Sequence, residues 1–277
     1  MPPPNAEDEK KPLKSNDNAP PRDDFHLVDD LVMAVRFFSR LPTGDRPHER
    51  PQLSRIARAL PFASLVIGIG PVLALALFGG LGLPPLFASA LATGAMILVC
   101  GGMSEDGLAD AADGLFGGTT PARRLEILKD SRHGTYGVAA LCLLLLLRVS
   151  ALAALVEIHP LKGAALWLAA TVLARSGGLW LTVALPPARI DGASAAAGRV
   201  SGYSFGIGMA FAAVIAFILA GPAAGLLAVL LALVLGAIVA WGWTRLCRRL
   251  LNGQTGDLIG ALMGLIEIAV LMAFLLL

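Results

Sequence analysis

The stretch YGVAALCLLLLLRVSALAALVEI, residues 136–158, decides the fold class. It carries only two charged side chains, Arg148 and Glu157, and a helix needs about 20 mostly apolar residues to cross a bilayer. Six further stretches have the same character, so the sequence predicts an all-α, polytopic integral membrane helical bundle with about seven transmembrane helices. The predicted spans are 61–83, 85–103, 136–158, 163–185, 204–220, 222–244 and 258–277.

The composition supports a membrane protein. Of the 277 residues, 56% are hydrophobic and 15% are charged, whereas about 25% charged residues are typical of a soluble domain. Residues 69–103 are also compatible with a re-entrant segment in place of two full spans. The three cysteines lack a paired spacing, which indicates neither a disulfide framework nor a zinc site. We expect Cys100, Cys142 and Cys247 to be small core residues.

The N-terminal region differs in character from the rest. Residues 1–24 are rich in proline and charge without an apolar period, so we predict a disordered extension. No apolar segment follows a basic start, which argues against a signal peptide. From Phe25 to Arg40 the apolar residues recur at helical spacing, which is typical of an interfacial amphipathic helix. Residues 25–277 are predicted to form one helical membrane domain with cytoplasmic catalytic loops.

The distribution of lysine and arginine predicts the orientation. With the N-terminus in the cytoplasm, the outside turns contain only Lys162. The positive-inside rule therefore places the N-terminus inside and the C-terminus outside. We expect a multi-pass protein of the cell inner membrane, with its active site on the cytoplasmic face. The basic residues of the inside loops are Arg123, Arg124, Lys129, Arg132, Arg189, Arg199, Arg245, Arg248 and Arg249.

An acidic segment, GGMSEDGLADAADGLFGG at 101–118, follows an apolar run. Asp106, Asp110 and Asp113 are spaced i, i+4 and i+7, which places them on a stripe about 60° wide if the segment is helical. Clustered carboxylates repel one another unless a cation neutralises them, and hard oxygen ligands suit Mg²⁺ or Mn²⁺. We predict that these three aspartates are metal ligands; the alternative is a solvated acidic loop.

A basic segment, RRLEILKDSRHGTYG at 123–137, comes next. Carboxylates beside a basic loop are the arrangement expected for phosphoryl or nucleotidyl transfer, because cations hold phosphate oxygens. The alternative is that these basic residues only fix the orientation of the chain in the membrane, as the positive-inside rule describes. His133 is expected to be a solvent-exposed loop residue, with a general-base role left open. We predict catalytic roles for Lys129, Asp130 and Arg132, and substrate binding by Arg123, Arg124 and Ser131.

Two further features carry predictions. The glycine-rich loop NGQTGDLIG at 252–260 leads into a helix whose N-terminus could face an anion, so Gln254 and Asp257 are predicted substrate-binding residues; a polar turn is the alternative.

Arg148, Arg175 and Glu267 lie about 15–18 Å inside predicted spans. Their equal depth predicts an Arg–Glu ion pair or the lining of a deep substrate cavity, and we assign Arg175 to substrate binding.

The order of these motifs resembles one family. FFSRLPTG at 37–44, DGLADAADG at 106–114, KDSRHGTYG at 129–137, the Ala-Arg pair at 174–175 and GQTGDLIGA at 253–261 together are similar to the adenosylcobinamide-GDP ribazoletransferases, also called cobalamin synthases. The resemblance covers about residues 28–277. No Walker loop, dinucleotide fingerprint or G-x-S-x-G elbow is present.

The resemblance implies a Mg²⁺-dependent membrane enzyme of late vitamin B12 assembly. Such an enzyme joins adenosylcobinamide-GDP to α-ribazole or its 5′-phosphate and releases GMP. It implies Asp106, Asp110 and Asp113 as metal ligands, with Lys129, Asp130 and Arg132 beside them. The expected partners are these two substrates and membrane lipid, without nucleic acid; a homo-oligomer stays open.

The chain also departs from the family pattern. Ser104 stands where a histidine is usual, and the adjacent Glu105 could serve as a ligand or proton acceptor. Gly264 and Asn252 replace an acidic residue and a glycine. Two other classes remain open at this point. They are a CDP-alcohol phosphotransferase, whose motif would need other residues at Asp110 and Ala111, and a cation-coupled transporter.

Overall fold

The computed structural model describes residues 26–44, 50–130, 132–189 and 197–277. The predicted disordered extension and Ser131 lie outside these residues. The described chain is helical, with one isolated β-bridge between Pro187 and Gln254. Its helices are α1 Leu27–Phe38, α2 Leu53–Gly80, α3 Pro85–Cys100, α4 Met103–Gly117, α5 Pro121–Ile127, α6 Thr135–Ile158, α7 Pro160–Gly178, α8 Trp180–Ala184, α9 Gly202–Ala224, α10 Leu226–Leu251 and α11 Gly256–Leu276.

The predicted membrane architecture is confirmed. In the described part of the chain, six segments are long and apolar enough to span a bilayer: α2, α6, α7 with α8, α9, α10 and α11. A seventh is obtained if α3 and α4, which meet at an 86° bend, are counted as one broken span. The helix α2 begins at Leu53, eight residues before the predicted span, and it continues through Pro61 and Pro71.

Two glycines cause the bend between α3 and α4. Gly101 and Gly102 have φ angles of 67° and 71°, a left-handed conformation that is costly for side-chain-bearing residues. A Cβ atom on Gly101 would also collide with the Arg40 side chain. The bend therefore lies at the C-terminal end of the segment 69–103, for which a re-entrant path was open.

The helices α4 and α11 approach each other closely through glycine. A Cβ atom on Gly107 would lie 2.7 Å from the Asp257 carbonyl oxygen, and one on Gly260 would lie 2.6 Å from the Met103 carbonyl oxygen. Only glycine permits backbones to touch in this way. Because Asp106 precedes Gly107, the contact brings Asp106 and Asp257 to the same end of the bundle.

Backbone hydrogen bonds hold the segment after α1 and the loop before α11 at that end of the bundle. The Arg40 N–H donates to the Val99 carbonyl at 2.8 Å, and the Gln254 N–H donates to the Pro186 carbonyl at 2.9 Å. The segment after α1 therefore contacts the α3–α4 bend, and the loop before α11 pairs with the segment after α8. The predicted amphipathic helix is present as α1, which packs on α2 with Asp30 bonded to Arg55 at 2.6 Å.

The prediction for the cysteines is wrong at one position. Cys247 is buried and Cys100 is half-buried, but Cys142 is exposed. Cys142 lies on the outer face of α6, of which only 22% of the spanning window is buried inside the protein. An apolar sequence neighbourhood does not distinguish a core position from a lipid-facing one, because lipid is as apolar as the protein interior.

Candidate functional site

A cavity of about 420 Å³ opens at the end of the bundle where α4 and α11 begin. We call it the acidic pocket, because Asp106 and Asp257 both line it. Arg40 supplies a cation to its lining, and Phe37 and Phe38 supply apolar surface. The pocket therefore combines two carboxylates, one guanidinium and aromatic rings from three separate segments of the chain.

Two helix N-termini meet at the acidic pocket. Met103 at the start of α4 and Gly256 at the start of α11 are both in its lining. The first N–H groups of a helix lack partners within the helix, and its N-terminus carries partial positive charge. Thr255 caps α11 by accepting a hydrogen bond from the Leu258 N–H at 3.4 Å. This end of the pocket suits an anionic group such as a phosphate.

The predicted helix and acidic stripe are present in α4. The Asp110 carboxylate interacts electrostatically with those of Asp106, Asp113 and Asp257, and with His133, whose Nδ1 lies 3.8 Å from Asp110 Oδ1. Negative charges this close raise the free energy of the site unless a cation compensates them. His133, expected in solvent, has a side chain that is 42% exposed and faces this cluster.

Asp113 has a structural function that the spacing did not predict. Its carboxylate accepts hydrogen bonds from the backbone N–H groups of Gly134 at 2.6 Å and Gly137 at 2.9 Å. Both residues belong to the start of α6. Asp113 therefore fixes α6 against α4, and each of its oxygen atoms already has a partner.

The residues fit Mg²⁺ only in one binding mode. Across the residues that the structure describes, no group of three or more His, Cys, Asp or Glu side chains is arranged to hold a metal ion. Mg²⁺ is commonly bound by one or two carboxylates, with waters and substrate phosphates completing the octahedron. Asp106, Asp110 and Asp257 can supply those carboxylates, so the donor set suits a metal ion that arrives with a phosphate-bearing substrate.

In the predicted catalytic loop, Asp130 and Arg132 bind each other. Arg132 Nη2 lies 2.8 Å from Asp130 Oδ2, and the Arg132 side chain is 87% exposed. The hydrogen bonds from Arg132 lower the pKa of Asp130 to about 2. A carboxylate with so low a pKa is a poor proton acceptor at neutral pH. Lys129 lies beside them and is exposed.

The two arginines predicted to bind substrate have different surroundings. Arg123 is in an exposed ion pair with Glu126 at 2.6 Å. Arg124 donates to the Leu115 carbonyl at 3.2 Å and the Leu250 carbonyl at 3.1 Å. Arg124 thus ties the ends of α4 and α10 together, which is a structural contact of the kind that satisfies terminal helix carbonyls.

The buried charges confirm one ion pair and add a partner. Equal depth predicted an Arg–Glu pair without naming the arginine, and the structure shows that it is Arg148, which lies 2.7 Å from Glu267 and 2.5 Å from Glu105. Trp167 Nε1 donates to Glu267 at 2.8 Å. Glu105 therefore faces Arg148 in the interior, away from the role of ligand or proton acceptor that its position beside Asp106 suggested.

Arg175 does not share in this ion pair. Its Nη2 contacts sulfur atoms, Cys100 Sγ at 3.1 Å and Met96 Sδ at 3.3 Å, and its buried Nη1 has no hydrogen-bond partner within the described residues. The guanidinium lines a cavity of about 30 Å³ that shares Phe38, Cys100 and Met103 with the acidic pocket. A buried cation without an oxygen partner favours an anionic group or water beside it.

The remaining predicted residues lie near the pocket or support it. Gln254 is buried, and its backbone pairs with residues 186–188. Asp257 lines the acidic pocket and lies 3.6 Å from Arg189. Arg40 was missed, because it reaches the pocket from a segment 66 residues before Asp106; only the motif FFSRLPTG pointed to it.

These observations define a class: a polytopic helical membrane protein with an acidic, phosphate-compatible pocket at one end of its bundle. Comparison with known proteins then identifies the family. The model of the cobalamin-5-phosphate synthase family matches residues 30–275. The chain belongs to this family.

Relatives support the same assignment. The chain is 42% identical to the adenosylcobinamide-GDP ribazoletransferase of Azorhizobium caulinodans, over 90% of this chain and 96% of the relative. It is 44% identical to that of Xanthobacter autotrophicus, over 85% and 91% respectively, and 40% identical to that of Bradyrhizobium diazoefficiens, over 89% and 93%. No solved structure matches the chain. The protein is thus a membrane transferase of cobalamin biosynthesis, and the alternatives of a CDP-alcohol phosphotransferase and a cation-coupled transporter are excluded.

Proposed function

We propose that the acidic pocket transfers the adenosylcobinamide-phosphate group from adenosylcobinamide-GDP to α-ribazole or its 5′-phosphate, with release of GMP and dependence on Mg²⁺. The observation that carries this proposal is the convergence of Asp106, Asp257 and Arg40 with two helix N-termini on one cavity. Such a cavity matches a diphosphate, because cations and backbone N–H groups face its oxygens while carboxylates accompany a metal ion.

The reaction would be a direct displacement at phosphorus. The ribazole 3′-hydroxyl oxygen bonds to the phosphorus that carries the cobinamide, and the bond from that phosphorus to the bridging oxygen of the diphosphate breaks. GMP leaves with the bridging oxygen. One or two carboxylates among Asp106, Asp110 and Asp257 would hold Mg²⁺ together with the substrate phosphates, and Asp113 stays a ligand predicted from the sequence alone. The bound ion would neutralise charge on the diphosphate oxygens.

Two arginines would hold the substrate diphosphate. Arg40 lines the acidic pocket, and Arg175 lines the adjoining small cavity with an unpartnered nitrogen. Charge-assisted hydrogen bonds from a guanidinium to phosphate are strong and directional. We expect Arg175→Gln to raise KM for adenosylcobinamide-GDP by about tenfold or more, without changing KM for α-ribazole. An equal increase in KM for both substrates would mean that Arg175 supports the structure and does not bind the diphosphate.

The proton of the attacking hydroxyl also needs an acceptor. Glu105 is engaged by Arg148, and Asp130 is engaged by Arg132, which leaves both unsuited to this role. His133, beside Asp110, is the group that we propose for it. The variant His133→Gln should lower kcat by about a hundredfold or more; an unchanged kcat would remove His133 from the mechanism.

The decisive experiment measures GMP release by the purified full-length protein in nanodiscs, with adenosylcobinamide-GDP and α-ribazole, with and without Mg²⁺. Wild type should release GMP only when both substrates and the metal are present. Asp106→Asn should abolish turnover. The control Glu157→Gln makes the same acid-to-amide change at an exposed residue of α6 outside the pocket lining, and it should retain turnover. Full activity of Asp106→Asn, or activity in the presence of a chelator, would refute the proposed site.

The orientation is a separate proposal. We infer that the acidic pocket lies on the cytoplasmic face of the inner membrane, because the basic residues of α5 and of the C-terminal end of α10 lie at the same end of the bundle, where Arg124 contacts Leu250. Cysteine substitution at exposed Arg249 in a Cys142→Ser background tests it. The site should react with impermeant maleimide only in inverted vesicles; labelling in intact, right-side-out cells would reverse the orientation.

A further inference from the structure

A second cavity, larger than the acidic pocket, lies between α7, α9, α10 and α11. Its volume is about 620 Å³, and it shares no lining residue with the acidic pocket. We call it the lateral groove. Its walls are almost entirely apolar, and small residues on α10 leave the space between the helices open. Those small residues are Ala232, Gly236, Ala237 and Ala240.

All charged lining residues of the lateral groove are at one end and are basic. Arg245 and Arg248 are one turn apart on α10 and both are exposed. The Arg245 guanidinium carbon lies 4.9 Å from the centre of a Trp241 ring, and Arg248 Nη2 donates weakly to the Ala184 carbonyl at 3.4 Å. In the described part of the chain neither arginine is paired with a carboxylate, and no acidic residue lines the groove.

The position of the groove indicates that it faces lipid. The apolar side chains that flank it on α10, Leu230, Val234 and Ile238, are 46%, 54% and 56% exposed. Trp180 and Trp241 line the groove, and tryptophan is enriched where a membrane meets water. From Arg248 to Ala232 the groove follows α10 for about 24 Å, which is enough for an acyl chain that begins at the headgroup level.

We propose that the lateral groove binds one anionic phospholipid, with its phosphate between Arg245 and Arg248 and an acyl chain along α10. Charge complementarity selects this occupant. A zwitterionic lipid would bring a cation to a site that already holds two, and an apolar helix from a second copy would leave both arginines without a counter-charge. The ligand of the groove is independent of the reaction proposed for the acidic pocket.

Lipid selectivity tests the proposal. The full-length protein is reconstituted in nanodiscs of phosphatidylcholine alone or of phosphatidylcholine in which about one fifth of the lipid is phosphatidylglycerol. Native mass spectrometry then counts the lipid molecules that stay bound after the protein is released from the nanodisc. Wild type should retain one phosphatidylglycerol in preference to phosphatidylcholine. The double variant Arg245→Gln/Arg248→Gln should lose this lipid by about tenfold, while Arg249→Gln, an exposed neighbour outside the groove lining, should bind like wild type.

A second pair of variants tests the apolar part. Ala237→Trp fills the groove and should reduce retained phosphatidylglycerol, whereas Ile238→Trp, the adjacent exposed position outside the lining, should not. Unchanged thermal unfolding in phosphatidylcholine nanodiscs establishes that each variant is folded. Equal retention of both lipids by wild type, full retention by the double arginine variant, or a lipid-free dimer would overturn the proposal.

Discussion

The helices α10 and α11 have the same mean hydropathy but opposite positions in the bundle. Only 22% of the spanning window of α10 is buried inside the protein, against 78% for α11. Hydropathy therefore identifies both as membrane segments and says nothing about which one forms the centre. The central helix carries Asp257 and Glu267, which belong to the acidic pocket and the buried ion pairs.

What separates the two helices is the kind of contact that each makes. The helix α11 meets α4 backbone to backbone at Gly260, and its Glu267 has two partners in the interior. On α10, a Cβ atom on Gly242 would meet no other atom within 4 Å, and large apolar side chains point outward. Close glycine contacts and satisfied buried charges mark the interior of a membrane protein, whereas lipid-facing surfaces need only be apolar.

The largest effect should come from the buried ion pairs. Arg148→Met would leave the Glu105 and Glu267 carboxylates buried without a counter-charge, which costs about 3–5 kcal/mol of folding free energy. Thermal unfolding in detergent measures it, with Arg249→Met on the exposed end of α10 as control. Adding Glu105→Gln and Glu267→Gln should recover most of the loss. An Arg148→Met protein as stable as the control would show that the centre does not depend on these charges.

A matched pair of leucine truncations tests the comparison directly. Leu262 on α11 is fully buried, and Leu227 on α10 is 66% exposed. Leu262→Ala should cost about 2–4 kcal/mol, because the cavity removes packing contacts. Leu227→Ala should change stability by less than about 0.5 kcal/mol. Both are read from the same thermal unfolding assay, and equal losses would mean that burial in this bundle does not determine stability.

Close approach between α4 and α11 predicts a smaller but more specific loss. The added methyl group of Gly107→Ala would press on the Asp257 backbone and cost about 1–3 kcal/mol. It would also displace Asp106, so GMP release should fall by about tenfold or more. Gly206→Ala on α9, where the space is open, should keep both stability and activity. Normal turnover of Gly107→Ala would show that the contact does not position the pocket.

The smallest effect distinguishes two functions of Asp113. If it serves mainly to anchor α6, Asp113→Asn should lower stability by about 1 kcal/mol, as for the loss of a helix cap. GMP release should then stay within tenfold of wild type, unlike that of Asp106→Asn. Activity and unfolding temperature are measured on the same preparation. A loss of activity as complete as that of Asp106→Asn would return Asp113 to the metal ligands.

The spacing of Asp106, Asp110 and Asp113 correctly predicted a helix with one acidic face. It could not predict that Asp113 would bind the backbone at the start of α6. The spacing shows which side chains share one face of a helix, but it does not show which other elements pack against that face. Equal depth predicted an Arg–Glu pair for a physical reason, since isolated charges are costly in the membrane, but it could not say that Arg148 and not Arg175 would be the partner of Glu267. Counting residues within a predicted span could not give a membrane depth for Glu105, because Glu105 follows the predicted span 85–103. Glu105 reaches Arg148 because the chain bends between α3 and α4.

The pocket residues were predicted unevenly for a similar reason. Asp257 was expected from a glycine-rich loop before a helix, and the loop does lie at the acidic pocket. Arg40 was not singled out, because nothing local connects it to residues 101–106. Its position depends on the hydrogen bond to Val99 and on the absence of a side chain at Gly101. Contacts between distant segments of this kind are not encoded in any local pattern.

The volume of the acidic pocket has a consequence for how the very large substrate proposed above would bind. A space of about 420 Å³ is at the lower end of what encloses a drug-sized molecule, and a corrinoid nucleotide is several times bulkier. Under the proposed function only the diphosphate would enter the acidic pocket, and the corrinoid macrocycle would stay outside it, beside the membrane surface. The bilayer would then keep a bulky, amphiphilic intermediate within reach of the pocket.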